Sequence, residues 1–297
     1  MTLAKIGGPD YDARIRRAQH LAVVHSFASE VMKFYQHLAQ FQKLLYAHLA
    51  PSASQHPIPA AAEGFRSNLD LAQLLQHFPE LLSLLQNVGP APVAEVARQF
   101  SLQGPAAWIT FINEYWTVAG TSDHLRSQVQ PHDAQHATQD DAQLAASETL
   151  TEFILQVFLQ PYAEFLAANR VAPPQITTLS VCPLCHSAPL LGVLRIEGDG
   201  GKRYLLCSFC LHEWEFRRIL CPTCGEEAEN KLPVYVAEQF PHIRVEACET
   251  CHYYLRTIDL TKDGHAVPLV DDLAALPLTL WANEHNYARL RPNLLST

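Results

Sequence analysis

The sequence predicts an α+β multidomain protein with an all-α N-terminal helical domain, two tandem β-modules that each carry four cysteines, and a C-terminal helix. Three observations lead to this prediction. Apolar residues recur at helical spacing through most of residues 11–169. All eight cysteines lie between Cys182 and Cys251, where they form four C-x-x-C pairs. Runs of β-branched and aromatic residues, bounded by Gly or Pro, connect these pairs, which is typical of strands.

Prolines and glycines divide the predicted helical domain into segments. One or two amphipathic helices are expected between Tyr11 and Ala50, followed by a breaker-rich loop over residues 51–59. A helix from about Phe65 to Asn87 should kink or split near Pro79, because proline has no backbone N–H to donate inside a helix.

Two shorter helices and one long one complete this domain. The first has Pro92 in its first turn, and the second follows Gly104-Pro105 and carries an aromatic-rich face that we interpret as core. Residues 121–141 are polar and predict a loop. Helical periodicity then returns over residues 142–169, with Pro161 inside the segment as an expected kink.

The cysteine region repeats one order of elements: a C-x-x-C turn, a hairpin, a second turn and a further strand. The expected strands cover residues 191–196, 202–206 and 212–219 in the first half, and 234–237, 242–247 and 252–259 in the second. Such a repeat indicates a duplicated unit. A last amphipathic helix is expected to run to about Tyr287, with Asp271 or Asp272 as its N-cap.

The four C-x-x-C pairs predict two metal sites of four cysteines each. A tetrahedral Cys₄ site needs two such turns, so four turns make two sites with no thiol left over. A hairpin brings the turn at its base beside the turn at its end. This predicts one site from Cys182, Cys185, Cys207 and Cys210, and another from Cys221, Cys224, Cys248 and Cys251. A cross-brace pairing of first with third and second with fourth turns is the alternative.

Several residues near the cysteines have two possible roles. His186, His212 and His252 each follow a cysteine closely, and we interpret them as bonded to nearby backbone rather than as substitute ligands, because four thiolates already complete each tetrahedron. Tyr204 and Trp214 are either core residues of a small module or anchors for a partner. The Arg217/Arg218 pair is interpreted first as a solvated strand face and second as a partner contact.

Composition narrows the function classes. The chain of 297 residues is 48% hydrophobic and 17% charged, which predicts a globular protein. Its net charge of −9 and lack of a basic stripe argue against a nucleic-acid partner. We find no signal segment and no membrane span, and so expect a cytoplasmic protein with reduced thiols. No phosphate loop, Ser/His/Asp set or paired carboxylates are recognisable, so we interpret the chain as a non-enzyme.

The cysteine region resembles the FdhE family of formate dehydrogenase accessory proteins. The resemblance rests on C-P-x-C at Cys182, R-Y-L-x-C-S-x-C-x-x-E-W from Arg203, C-x-x-C-G-E from Cys221, E-x-C-x-x-C from Glu246 and D-D-L-A from Asp271. It implies rubredoxin-like modules that can carry iron. It further implies a cytoplasmic accessory factor that binds the catalytic subunit of respiratory formate dehydrogenase before export and is needed for an active enzyme.

These inferences together define the expected organisation. A helical domain covers residues 1–172, the two rubredoxin-like or zinc-ribbon modules cover 173–219 and 220–264, and the C-terminal helix and tail cover 265–297. Two metal ions per chain are expected, rubredoxin-type iron with zinc as the alternative, because a tetrahedral S₄ set fits both. A rubredoxin-like electron-transfer protein and a zinc-ribbon nucleic-acid adaptor are the alternative functions.

Overall fold

A bundle of α-helices forms the first part of the chain in its computed structural model. The structure describes residues 8–49, 63–66, 69–118, 139–170, 176–197, 200–291, 293 and 295. Within these ranges the helices of the bundle are α1 (Tyr11–Val24), α2 (Ser29–Leu49), α3 (Glu63–Arg66), α4 (Leu71–Leu75), α5 (Phe78–Val88), α6 (Ala91–Gln103), α7 (Pro105–Val118) and α8 (Gln139–Ala168). A 3₁₀ turn, Ser26–Ala28, separates α1 from α2.

Local sequence signals set the ends of these helices. The carboxylate of Asp10 accepts from the Ala13 N–H at 2.8 Å and caps α1, and Asp70 caps α4 in the same way. The expected split near Pro79 is present, with Pro79 in the first turn of α5. The predicted loop at 51–59 lies outside the described residues. So does most of the loop predicted over 121–141, whose last three residues belong to α8.

The long helix α8 continues through Pro161 because another helix supplies the missing hydrogen bond. Proline has no N–H for the carbonyl four residues earlier, which here belongs to Val157. The fully buried Gln42 of α2 donates its Nε2 to that Val157 oxygen at 3.0 Å and also to Gln160 Oε1 at 3.2 Å. A side chain from a neighbouring helix therefore replaces one backbone bond of α8.

The second part of the chain forms one mixed sheet. Its strands are β1 (Pro189–Glu197), β2 (Gly200–Cys207), β3 (Glu213–Glu215), β4 (Val234–Val236), β5 (Ile243–Ala247), β6 (Tyr253–Asp259) and β7 (Ala288–Arg289). The order is β3-β2-β1-β6-β5-β4, and β7 pairs with β6. The first hairpin, β1–β2, and the antiparallel pair β5–β6 of the second half meet where β1 pairs with β6 in parallel.

The junction between the two halves requires a glycine. Gly192 of β1 lies opposite the buried Thr257 of β6. A Cβ atom at position 192 would lie 2.3 Å from Thr257 Oγ1, far inside van der Waals contact. Only glycine permits this approach of the two strands. The two halves thus share a sheet, and one hydrophobic core continues from the helices into it.

The C-terminal segment forms two short helices where the sequence suggests one. Helix α9 (Pro268–Ala274) ends before α10 (Leu276–Glu284), because Pro277 has no N–H with which to continue α9. The expected N-cap was wrong: Val267 is the N-cap of α9, and both aspartates lie inside the helix. Asp271 nevertheless serves the helix start, because its Oδ2 accepts from the Val267 N–H at 2.7 Å.

A buried ion cluster ties these helices to the sheet. The fully buried Asp272 lies 2.7 Å from Arg256 Nε of β6 and 2.7 Å from Arg289 Nη2 of β7, and it also accepts from Asn293. Burial raises the pKa of Asp272, but the two guanidinium groups outweigh burial and hold that pKa below its usual value.

The predicted fold class is confirmed: a helical part, a β part with two four-cysteine groups, and a C-terminal helical segment. No helix in the described ranges has the length and apolar character needed to cross a bilayer.

The contact between Gln42 and Val157 predicts a coupled pair of substitutions. We expect Gln42→Leu to lower the free energy of unfolding by about 1–3 kcal/mol, because it leaves a buried carbonyl without a donor. Pro161→Ala restores a backbone N–H at that turn, so the cost of Gln42→Leu should fall in its presence. Denaturant unfolding of the two single variants and the double variant measures this coupling. An equal cost of Gln42→Leu in both backgrounds would contradict the explanation.

Candidate metal centres

The structure brings the eight cysteine sulfurs together in two groups of four. The first group contains Cys182, Cys185, Cys207 and Cys210, and the second contains Cys221, Cys224, Cys248 and Cys251. In each group the four sulfurs lie within 4.8 Å of one another. These are the groups expected from the hairpins, and not those of the cross-brace alternative.

The sulfur separations fit a tetrahedral metal ion. Representative distances are 3.6 Å from Cys182 to Cys210 and 3.4 Å from Cys185 to Cys207 in the first group. In the second group Cys221 lies 3.8 Å from Cys251, and Cys224 lies 3.7 Å from Cys248. A tetrahedron with metal–sulfur bonds near 2.3 Å has edges of about 3.8 Å, whereas a disulfide bond measures about 2.05 Å. The donor set therefore suits zinc or rubredoxin-type iron.

Three of the four C-x-x-C turns direct a backbone N–H at their first sulfur. The N–H groups of Leu184, Phe209 and Thr223 each lie 3.4 Å from the sulfur two residues earlier in the chain. Hydrogen bonds to the charged form of a group favour that form. The turns thus stabilise thiolates, which are the form that binds a metal.

The residue after the second cysteine of each turn has a left-handed backbone. Its φ is 60° at His186, 52° at Leu211, 77° at Gly225 and 58° at His252. This conformation closes the turn: the N–H of His186 reaches the Cys182 carbonyl at 2.9 Å, and that of Gly225 reaches the Cys221 carbonyl at 3.0 Å. His186 and His252 are exposed at these positions. Of the described residues, the two sulfur groups include no histidine atom.

His212 also has a backbone role. Its carbonyl accepts from the Cys207 N–H at 3.0 Å, which fixes the start of the second turn. Burial lowers the pKa of its imidazole, so the ring favours the neutral form. The three histidines near the cysteines thus shape turns around the sulfurs.

Burial disfavours the charged thiolates of the first group unless a cation is bound to them. Desolvation raises the pKa of the Cys182 and Cys210 thiols well above the usual value. Four thiolates in such a place also repel one another. A bound divalent ion offsets both effects, and its binding releases the thiol protons.

Other predicted surface residues have defined places in the fold. Trp214 is buried, and its indole N–H donates to the Leu179 carbonyl at 2.9 Å, so it is a core residue. Tyr204 donates its hydroxyl to Glu197 at 2.5 Å. Arg217 forms an exposed ion pair with Glu227, and Arg218 is exposed beside a hollow that Arg203, Arg244, Cys221 and Cys248 also line.

A third cluster could not be expected from sequence spacing. His242, Asp263 and Asp271 place their donor atoms within 4.8 Å of one another. Arg17 of α1 already pairs with both aspartates, at 2.8 Å and 2.5 Å, and His242 Nε2 lies 2.8 Å from Asp271. We therefore interpret this cluster as an ion network that fastens α1 to the C-terminal segment.

Two family models match the cysteine region and the segment after it. Residues 181–218 match the model described as FdhE, central domain, and residues 219–296 match FdhE, C-terminal domain. The chain is thus similar to FdhE proteins over this region. An FdhE homolog from Aquifex aeolicus is 31% identical over 50% of this chain and 53% of its own length. One from Pseudomonas aeruginosa is 39% identical over 44% of each chain. The matched sequence thus spans about half the length of these curated relatives.

A solved FdhE structure extends the likeness in fold. The crystal structure of the FdhE protein from Pseudomonas aeruginosa matches with a TM-score of 0.64 over 99% of both chains. Its sequence identity to this chain is 23%, so this match speaks for the fold alone. The helical part, which the family models do not cover, therefore shares the arrangement of a known FdhE protein.

Gly225 provides a test of the turn geometry. A Cβ at Gly225 or at Gly264 would meet nothing within 4 Å, but only Gly225 has a positive φ, of 77°. We expect Gly225→Ala to lower the free energy of unfolding by about 1–2 kcal/mol through backbone strain alone. Gly264→Ala is the matched control and should not destabilise. Denaturant unfolding measures both, and equal effects would show that the turn does not need its left-handed residue.

Proposed function

We propose that the chain is an accessory factor for the formation of respiratory formate dehydrogenase, acting in the cytoplasm by binding the catalytic subunit of that enzyme. The observation that carries this proposal is the pair of four-sulfur groups within the region that matches the FdhE family models. None of the eight cysteines forms a disulfide bond, and thiols persist in a reducing compartment such as the cytoplasm. In this account the chain is not itself an enzyme.

The proposal assigns one metal ion to each group of four cysteines. Cys182, Cys185, Cys207 and Cys210 hold the first ion, and Cys221, Cys224, Cys248 and Cys251 hold the second. Zinc would act as a structural cross-link, and rubredoxin-type iron would add a one-electron redox couple. With either metal, the ion would hold together two turns that adjoin strands of the sheet. Metal binding and the fold of the sheet are therefore linked.

The proposed client-binding surface is the sheet face around the hollow beside the second group. Arg218 is exposed there, and Arg203 and Arg244 line the same hollow. Val234 and Val236 of the edge strand β4 are 52% and 51% exposed on the sheet beside it. Arginine is enriched in protein interfaces, where it accompanies apolar side chains. Trp214, being buried, is excluded from this surface.

Capture of the full chain by an immobilised formate dehydrogenase catalytic subunit tests the proposal. We expect Arg218→Ala to weaken capture by about tenfold with both metals still bound, the typical size of one interface contact. Arg16→Ala is the matched control, because Arg16 is an exposed arginine on α1. Cys221→Ser with Cys224→Ser should lose the second ion and weaken capture further.

Formate oxidation in cells that carry each variant supplies the second measurement. Cysteine variants that lack both metals should leave little active formate dehydrogenase. Full activity in those cells would refute a metal-dependent accessory role. An absorption band of thiolate-to-iron charge transfer that bleaches and recovers in step with formate oxidation would instead favour the electron-transfer alternative.

A further inference from the structure

The two groups have the same ligands and turns but differ in exposure, since Cys221 and Cys248 of the second group are buried but its other two cysteines are not. In the first group the exposed fractions are 0% for Cys182, 1% for Cys185, 0% for Cys207 and 2% for Cys210. In the second group Cys224 is exposed and Cys251 is half-buried. An ion held by the first group is therefore shielded from solvent, whereas one held by the second has an open side.

The difference in exposure accompanies a difference in residue type at one position of each turn. The residue just before the second cysteine is Leu184 or Phe209 in the first group, and both are 2% exposed. The matching residues of the second group are Thr223 and Thr250, and both are exposed. Apolar side chains at this position draw the turn into the core, and threonines leave it at the surface.

Phe209 places the first group against the helices. Its ring lies 5.3 Å from that of Trp116 and 6.4 Å from that of Tyr115, both on α7. The Arg66 guanidinium lies over the same Phe209 ring, 4.6 Å from its centroid. Arg66 also donates to Ser187 Oγ at 3.0 Å, and Gln156 of α8 donates to the Ser208 carbonyl at 3.2 Å. An incoming ligand can reach these sulfurs only if the helices separate from the sheet.

Within the part of the chain that the structure describes, the second group is not covered by helices in this way. Its two turns are joined by Glu226, which accepts from Thr250 Oγ1 at 2.6 Å and from the Ala228 N–H at 3.0 Å. The group is thus held together at its surface by side chains that leave Cys224 accessible.

We propose that the second group is a metal-exchange site and the first a permanent structural site, an inference that rests on the metal binding proposed above. At the second site an incoming thiolate or chelating ligand bonds to the ion on its open side. The Cys224 thiolate then leaves the ion and takes a proton from water, and the remaining sulfurs follow. No electron is transferred. The ions that suit this exchange are thiophilic divalent ions such as zinc and ferrous iron.

The test is the release of zinc from the full chain into the chelator 4-(2-pyridylazo)resorcinol, followed by absorbance. We expect two ions per chain, one released at least about tenfold faster than the other, because release of the slow ion needs a local opening of the structure. Cys224→Ser should remove the fast phase and keep the slow one.

Matched variants at the covering position separate exchange from general stability. Phe209→Ala should speed the slow phase severalfold and leave the fast phase unchanged, while Thr223→Ala, at the same place in a turn of the second group, should change neither rate, because Thr223 is exposed and its bond to Cys221 comes from the backbone. If Phe209→Ala does not fold, Arg66→Ala tests the same cover with a smaller loss of packing.

The outcomes are distinguishable. Equal release rates from a chain that holds two ions would overturn the exchange proposal and leave the metal sites intact. A slow phase that neither Phe209→Ala nor Arg66→Ala accelerates would also overturn it. A chain that binds fewer than two ions would refute the metal sites themselves, and the exchange proposal with them.

Discussion

The β part of the chain depends on one constraint: four cysteine sulfurs must lie close together in each of two groups. Thiolates repel one another and lose solvation when buried, so a compact group of four is stable only with a cation or with its protons. The turns favour the thiolates locally, because backbone N–H groups of Leu184, Phe209 and Thr223 point at the first sulfurs. A left-handed residue closes each turn. The hairpins then set the distance between one turn and the next, which brings two turns to one centre.

The same constraint explains why two halves share one sheet. A single hairpin with a metal centre has little core of its own. The parallel contact of β1 with β6 unites the two hairpins, and Gly192 makes the approach possible. The joint sheet has enough apolar surface to pack on the helices and on the C-terminal segment. Asp272 and its two arginines fix that segment in place.

Features set by near neighbours could be predicted from the sequence. The C-x-x-C spacing, the hairpins, the split at Pro79 and the helices of the first part depend on residues close in the chain. The bond from Gln42 to Val157 and the network of Arg17 with Asp271 join residues more than a hundred positions apart, and no local pattern announces them. The C-terminal aspartates illustrate the limit. Their residue type suggested a cap, but Asp271 pairs with Arg17 of α1, and Asp272 pairs with arginines of β6 and β7.

The residue types just before the second cysteine of each turn indicate how buried the centre is, which cysteine spacing alone does not. Leucine and phenylalanine there accompany a buried centre, and two threonines accompany an exposed one. One duplicated unit has thereby produced two centres with different access to solvent. The boundaries of the helical and cysteine-containing domains remain predictions, since the core is continuous across them.

The central claim is that each group of four cysteines holds one metal ion in a tetrahedron of sulfur. X-ray absorption at the metal edge, combined with the metal-to-protein ratio of the full chain, tests it most directly. The account predicts two ions per chain, each with four sulfur neighbours at about 2.3 Å. A single ion per chain, or nitrogen or oxygen atoms among the nearest neighbours, would contradict it.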